Sequence, residues 1–382
     1  MKFKVSSSEL LNHLTSVEKV IATKNPLPIL DDFLFQIEGT KLTVTASDLE
    51  TTIITSLDIT DVDGAGEVAV PAKLLTSTLK ECPEQPIEFD IRNDDADSSS
   101  FKIYLLTSSG KFDFQGLNGE DFPSLPEIKD EHTDVAVSHE VLLSGLTKTL
   151  FATADDDLRP VMNGVFFDMK DNELTFVASD AHKLVRYIRT DVQIQGAASF
   201  ILPKKPATLL KGLLPKEEFD IKISFDDKNA FFTLSGTKVI CRLLEGKYPN
   251  YNAVIPKGDG HSTVTIDRIE LSNALRRVSI FTGPSQLVKM HFESSELTVS
   301  AADNDFGNSG EEKLACQFES SVDQLEMGFK SSFLQEIVNN ISTTNVCCNL
   351  YDASRAGLFL PDTKEFEHED LLMLLMPMMI NS

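Results

Sequence analysis

A chain of 382 residues, 41% hydrophobic and 25% charged, has the composition of a globular protein of two to four domains. Its formal net charge of −24 excludes a surface that coats nucleic acid indiscriminately, while leaving room for a local basic face. The start, MKFKVSSSELL, lacks the sustained apolar run of a signal peptide. No stretch is long enough to span a membrane, and five cysteines at irregular spacing without a CxxC point to a reduced, cytoplasmic protein.

The first predicted element is a helix over 7–24, where ELLNHLTSVEKVIA (9–22) carries apolar residues at helical spacing. ILDDFLFQIEGT follows as a strand with a Gly-Thr turn. LTVTASD (42–48) is a second strand, rich in Thr and Val and ending at Asp. EVAVPAKLLTSTLK (67–80) reads as a strand running into a helix over 71–82, with Pro71 where a first-turn proline is tolerated. Further strands and the closing signal DFPSLPEI (121–128) complete the set.

The same order then returns twice. EVLLSGLTKTLFATA (140–154) predicts a helix over 138–153, followed by MNGVFFDMKDN, the strand LTFVASD (174–180) and SFILPKKPATLLKGLL (199–214), with a helix over 203–215. KYPNYNAVIP (247–256) closes this unit. IELSNALRRVSIF (269–281) opens the third with a helix over 267–281. LVKMHFESSE, LTVSAAD (297–303) and LEMGFKSSFLQEIVNNI (325–341) follow, the last with a helix over 330–342. The three LT…D strands begin at 42, 174 and 297, a period far beyond that of a stacked solenoid. The expected fold is therefore α+β, with three tandem domains at 1–129, 130–257 and 258–382, each of two strand–helix–strands modules. Cys347 and Cys348, adjacent in VCCNL, point to opposite faces of a strand as small core residues.

The chain closes on LLMLLMPMMINS (371–382). Its apolar run is too short for a membrane span, which needs about 20 residues. It falls where the last strand of the third unit belongs, so it reads as a strand buried on both faces, a reading compatible with a surface meant for a partner if the strand ends beside a pocket.

Charge separates by element. The predicted helices carry Lys19, Lys24, Lys73, Lys80, Lys148, Lys204, Lys205, Lys211, Arg268, Arg276, Arg277 and Lys330 against only Glu9, Glu18, Glu81, Glu140, Asp267, Glu270 and Glu336. Acid is spread over strands and loops. A basic helix set without zinc-finger, RNP or Asn/Gln/Arg reader patterns suits contact to a nucleic-acid backbone without sequence preference.

MKFKVSSSELLNHL, PLPIL (26–30), TASDLE (45–50), MNG (162–164), ASDAHKL (178–184), YPNY (248–251) and LMPM (375–378) resemble, in order and nearly end to end, the bacterial β sliding clamp family. That family supplies the processivity subunit of DNA polymerase III. The resemblance implies the DNA clamp fold, a head-to-tail homodimer closed into a ring of six domains, and helices lining a hole that holds double-stranded DNA. It implies no catalysis, no cofactor and no metal. Partners would be the polymerase catalytic subunit, the clamp loader, other polymerases and repair proteins, docking short linear motifs in a hydrophobic pocket. Carried over, that pocket is Met162, Ser179, Ala181, His182, Lys183, Leu184, Pro249, Ala253, Val254, Ser354, Ala356, Leu374, Leu375, Met376, Pro377 and Met378. Flexible, polarizable Met suits a groove that takes varied anchors. The family often has Gly, Arg and Arg where this chain has Ala181, Lys183 and Ala253, and Met379 to Ser382 run past its usual ending, so the rim is expected to differ in charge.

The residues expected to face DNA are Lys24, Lys73, Lys80, Lys148, Lys204, Lys205, Lys211, Arg276 and Arg277. Lys24 matches a DNA-contacting position of the family, and Lys73, Lys80 and Lys205 do so more loosely. Asp156 falls in a loop that faces DNA in relatives. At the ring joint the matching apolar residues are Phe112 and Phe114 of the first domain with Ile280 and Phe281 of the third. Two rival classes are weaker. A metal-dependent hydrolase would use Asp155, Asp156 and Asp157 with His182, but DDD reads as a solvated loop, and no Gly-rich phosphate loop, GxSxG or HExxH occurs. A three-domain peptide-binding scaffold that never encircles DNA would share the pocket but leaves the basic helices unexplained.

Overall fold

A computed structural model describes residues 1–94, 97–258, 261–303 and 305–380. Asn381 and Ser382 of the expected tail extension lie outside the described residues. The first repeat runs β1 (Lys2–Ser6), α1 (Ser7–Glu18), β2 (Asp32–Glu38), β3 (Lys41–Ser47), β4 (Thr51–Asp58), β5 (Thr60–Asp63), β6 (Gly66–Pro71), α2 (Ala72–Lys80), β7 (Pro86–Asp94), β8 (Asp97–Leu106) and β9 (Lys111–Asn118). The second runs β10 (Thr133–Ser138), α3 (His139–Thr149), β11 (Gly164–Lys170), β12 (Glu173–Ser179), β13 (Lys183–Arg189), β14 (Ala198–Pro203), α4 (Lys204–Leu213), β15 (Asp220–Phe225), β16 (Asn229–Thr233) and β17 (Thr237–Arg242). The third runs β18 (Ser262–Asp267), α5 (Arg268–Val278), β19 (Leu287–Glu293), β20 (Glu296–Asp303), β21 (Asn308–Glu319), β22 (Gln324–Lys330), α6 (Ser331–Asn340), β23 (Asn345–Leu350), β24 (Gly357–Pro361) and β25 (Glu369–Leu375).

The helices form where the sequence predicts but stop sooner. α1 ends at Glu18 because Val20, Ile21 and Thr23 are β-branched and Pro26 follows. The chain tightens there, with the Val20 and Ile21 amides donating three residues back, to Val17 and Glu18. Lys24 therefore lies in the loop after the helix. Short 3-10 turns, Leu150–Ala152, Leu214–Lys216 and Ser279–Phe281, take the predicted last turns of α3, α4 and α5.

The chain divides into two compact units, Met1–Glu140 with Thr208–Leu243, and Val141–Ala207 with Leu244–Ser382. These cut across the sequence repeats for a backbone reason: a sheet passes from one repeat into the next without interruption. In the first unit the 13 strands run β10-β15-β16-β17-β4-β3-β2-β6-β9-β8-β7-β1-β5, with β17 of the second repeat paired to β4 of the first. Its core is Phe3, Phe33, Phe35 and Phe89 beneath α1 and α2. In the second unit the 12 strands run β14-β11-β12-β13-β25-β24-β23-β18-β21-β20-β19-β22, with β25 of the third repeat paired to β13 of the second. Here α3 lies so close on the sheet that a β-carbon at Gly145 would sit 2.4 Å from the Phe176 ring, which only glycine avoids.

Each closing strand also crosses to a further strand of its own repeat. Leu117 pairs with Ala69, the Leu244 amide donates to the Ile201 carbonyl at 3.1 Å, and the Met378 amide donates to the Gly328 carbonyl at 2.8 Å. The terminal MPM is thus the third copy of a repeated crossing, and the apolar run before it is strand β25.

Candidate functional site

β13 and β25 run antiparallel, with Leu184 opposite Leu374 and Arg186 opposite Leu372. Strand alternation puts Leu184, Leu372 and Leu374 on the face away from α3, where Val177, Ile201, Ala356 and Leu358 join them in one buried cluster. The segment after β17 lies over this face. Tyr248 stacks on Phe166 with ring centroids 4.7 Å apart, and the Tyr251 hydroxyl donates to Asp168 Oδ2 at 2.8 Å. Burial pushes both phenols' pKa upward. Between floor and cover is a cavity of about 180 Å3 with mainly apolar walls.

Met162, Ser179, Ala181, His182, Lys183, Leu184, Pro249, Val254, Leu374 and Met376 of the sequence-predicted residues line it. Tyr248, Asn250 and Tyr251 line it too, and sequence reasoning missed them. The signal was present in YPNY, where two aromatics flank the one residue selected. The remaining predicted residues stand elsewhere. Leu375 is fully buried and, opposite Lys183, faces the helix side of the sheet. Ala356 sits in the packed cluster below the floor. Ser354 is held in a turn, its hydroxyl donating to Asp352 Oδ1 at 2.5 Å. Ala253 ends the 3-10 turn Tyr251–Ala253 without reaching the cavity, and Pro377 and Met378 follow the crossing to Gly328 instead.

The rim loop is tightly specified. Asp180 Oδ1 accepts the His182 and Lys183 amides at 2.9 and 2.8 Å, Ser179 Oγ accepts the Ala181 amide at 3.1 Å, and the Met376 amide donates to the His182 carbonyl at 2.8 Å. Ala181 consequently adopts φ +73°, the left-handed region that disfavours a β-carbon. The Lys183 ammonium turns away from the cavity, 2.9 Å from Asp180 Oδ2 and 2.8 Å from Glu336 Oε2, above the Phe333 ring. Burial opposes its charge, but Glu336 and Asp180 outweigh burial and hold its pKa above the ordinary value. Neither Ala253 nor Lys183, which is paired with two carboxylates, places a free positive charge at the mouth.

The basic helix residues divide. Lys24, Lys73, Lys80, Lys204, Lys205, Arg276 and Arg277 are exposed and Lys211 is half-buried. Arg277 is engaged along one guanidinium edge, its Nε and Nη2 each donating to a Glu312 carboxylate oxygen at 2.5 Å. Lys148 corrects its expected place. It is 8% exposed, with its ammonium 2.8 Å from Glu365 Oε2 and 3.0 Å from Ser342 Oγ, and it holds the Glu365 carboxyl below the usual range. It is a buried structural cation and not a surface one. Asp156 is occupied locally, accepting from the Leu158 amide and the Arg159 guanidinium, both at 2.9 Å. Of the joint residues, Ile280 is 79% exposed and Phe112 and Phe281 partly so, but Phe114, on the same face of β9 as Phe112, is 5% exposed within its own repeat.

Models of the DNA polymerase III beta subunit match throughout: the N-terminal domain at residues 1–126, the central domain at 136–250 and the C-terminal domain at 252–379. The chain belongs to the DNA polymerase III β subunit family. It is 27% identical over 381 residues to the beta sliding clamp of Pseudomonas aeruginosa, covering 99% of this chain and 100% of that one. The crystal structure of the DNA polymerase III subunit beta from the same organism superposes with a TM-score of 0.91 at 25% identity, covering both chains completely. A P. aeruginosa sliding clamp bound to griselimycin superposes with a TM-score of 0.89 at 26% identity, again with full coverage. The fold is therefore the three-repeat clamp fold of this family.

Proposed function

We propose that two copies of the chain close head to tail into a ring that encircles duplex DNA, and that the cavity beside β25 docks short apolar motifs of the polymerase catalytic subunit, the clamp loader and other DNA-processing proteins. The protein acts as a sliding clamp and not as a catalyst. The domains it contributes are 1–129, 130–257 and 258–382. Topology supplies retention, so the exposed Lys24, Lys73, Lys80, Lys204, Lys205 and Arg276 need only weak phosphate contact, and the acid elsewhere repels stray DNA.

The observation that carries the ring is a repeated joint with two matching ends left open. Ser47, Ser179 and Ala302, each just before the Asp of its LT…D motif, pair with Thr52, Leu184 and Ser309. Asp113, Ile240 and Leu374 stand four places before the three crossings at Leu117, Leu244 and Met378. Ile240 pairs with Thr52 and Leu374 with Leu184, so the two joints share one register. Their closing hydrogen bonds match as well: Arg242 amide to Glu50 carbonyl at 2.9 Å, Met376 amide to His182 carbonyl at 2.8 Å. Among the described residues, β21 before Cys316 and β9 before Leu117 each have one edge without a strand. Continuing the rule sets Asp113 of one copy opposite Ser309 of the next, Phe112 opposite Gly310 and Lys111 opposite Glu311. A β-carbon at Gly310 would sit 2.6 Å from the Phe281 ring, so Phe112 would pack beside Phe281, while Lys111 and Glu311 complement in charge.

The test is retention on DNA. The protein loaded on a nicked circular plasmid should stay bound through gel filtration in high salt and be released when the plasmid is linearised. Release that ignores linearisation would favour the peptide-binding scaffold. Exchanging Lys24, Lys73 and Lys205 for Glu should weaken loading and spare peptide binding.

A further inference from the structure

The cavity's rim loop is fixed from behind by a residue that never touches the cavity. Glu336 lies on α6 of the third repeat, and its Oε2 is buried and makes no hydrogen bond to another group among the described residues, leaving the ion pair with Lys183 at 2.8 Å. Lys183 is the first residue of β13, 4% exposed, and its ammonium also reaches Asp180 Oδ2 at 2.9 Å. Asp180 in turn accepts two loop amides, and the loop carries Ala181 in the left-handed region. The Phe333 ring, one turn before Glu336 on α6, lies 4.4 Å from the Lys183 ammonium and stacks on the His182 ring with centroids 5.7 Å apart. The chain of contact runs from α6 to a lysine to a carboxylate to the cavity rim. A strained, short loop holds one arrangement only when its surroundings over-determine it.

We propose that Glu336 is a positioning residue for the docking cavity: through Lys183 and Asp180 it holds residues 180–182 in the conformation that a peptide finds. This rests on the docking reading above, and it adds that α6 is mechanically coupled to the cavity. Without the Glu336 carboxylate, Lys183 keeps one anion instead of two, and the rim samples conformations that do not bind. Apparent affinity falls by the fraction of time the loop spends elsewhere.

Two measurements test this on the full-length protein. Amide exchange of residues 180–183, without peptide, should quicken in Glu336→Gln and Lys183→Met and remain near native in Lys183→Arg. Affinity for a short fluorescent peptide whose large apolar side chains are adjacent Leu and Phe should fall about five-fold in Glu336→Gln. The double variant Glu336→Gln with Lys183→Met should lose no more than the worse single variant, since both act through one contact. Unchanged exchange at 180–183 in Glu336→Gln overturns the proposal, as do losses that multiply in the double variant. If the unaltered protein fails to bind the peptide, the docking reading fails, while the exchange measurement still decides the coupling.

Discussion

The two joints within the chain share a backbone and differ in side chains. β4–β17 and β13–β25 pair in one register and end on the same amide-to-carbonyl bond. On the outer face the second joint presents Val177, Leu184, Ile201, Leu372 and Leu374, roofed by Tyr248 and Tyr251. The matching positions of the first joint are Thr45, Thr52, Ala69, Lys238 and Ile240. On the helix face the second joint is filled. The Tyr187 hydroxyl donates to Glu369 at 2.7 Å, Arg189 is held by Asp191 and Tyr187, and Lys148 meets Glu365. The first joint has Thr55 where Tyr187 stands. Its hydroxyl donates to the Gly236 carbonyl at 3.0 Å and accepts from His13 Nδ1 at 2.6 Å, beside an open space of about 540 Å3. Repetition of the backbone therefore builds joints, and the composition of two facing rows decides which joint becomes a docking cavity.

The comparison breaks most visibly in the buried polar network. Arg189→Ala should destabilise the protein by about 3–5 kcal/mol by leaving charges uncompensated at the second joint. His13→Ala, at the roomier first joint, should cost about 1 kcal/mol. Denaturant titration compares them, and equal costs would mean the joints are equally filled. Next, Met376→Ala should lower peptide affinity about ten-fold with little change in melting temperature, because Met376 is a 42%-exposed cavity wall. Arg242→Ala, its counterpart at the first joint, should leave peptide affinity alone.

Asp32, buried at the start of β2, has its carboxyl raised to about 6 by burial and by Asp31. A raised carboxyl pKa means the native state favours the protonated form. The penalty is complete above pH 6 and relieved as pH falls toward the unfolded value near 4. Asp32→Asn should thus add about 1–2 kcal/mol at pH 8 and nothing near pH 4, read as melting temperature across pH. The smallest effect is expected at the rim, where Ala181→Gly relieves left-handed strain and should add about 0.5–1 kcal/mol. Leu49→Gly tests the same at the first joint, where Leu49 has φ +77°.

The sequence carried the repetition, the order of elements and the place of the tail, because those depend on periodicity and turn chemistry. It also carried most of the cavity, through motifs in order. It did not carry what depends on where a long side chain swings. Lys148 reads as a DNA-facing cation and Lys183 as a pocket residue, and both ammonium groups are instead neutralised in the interior, by Glu365 and Glu336, which are 217 and 153 positions away along the chain. Phe114 reads like Phe112, and the two share one face of β9, yet only Phe112, second in the strand, is exposed. Tyr248 and Tyr251 were visible as residues but not as a roof, since that role needs the fold-back of the segment after β17.

The most direct measurement of the ring is a cysteine pair at the open joint. Asp113→Cys with Ser309→Cys should oxidise to a covalent species of two chains and no larger, because a head-to-tail contact that closes leaves no free end. A ladder of longer species would mean an open filament, and a protein that stays monomeric under oxidation would contradict the joint and the ring built on it.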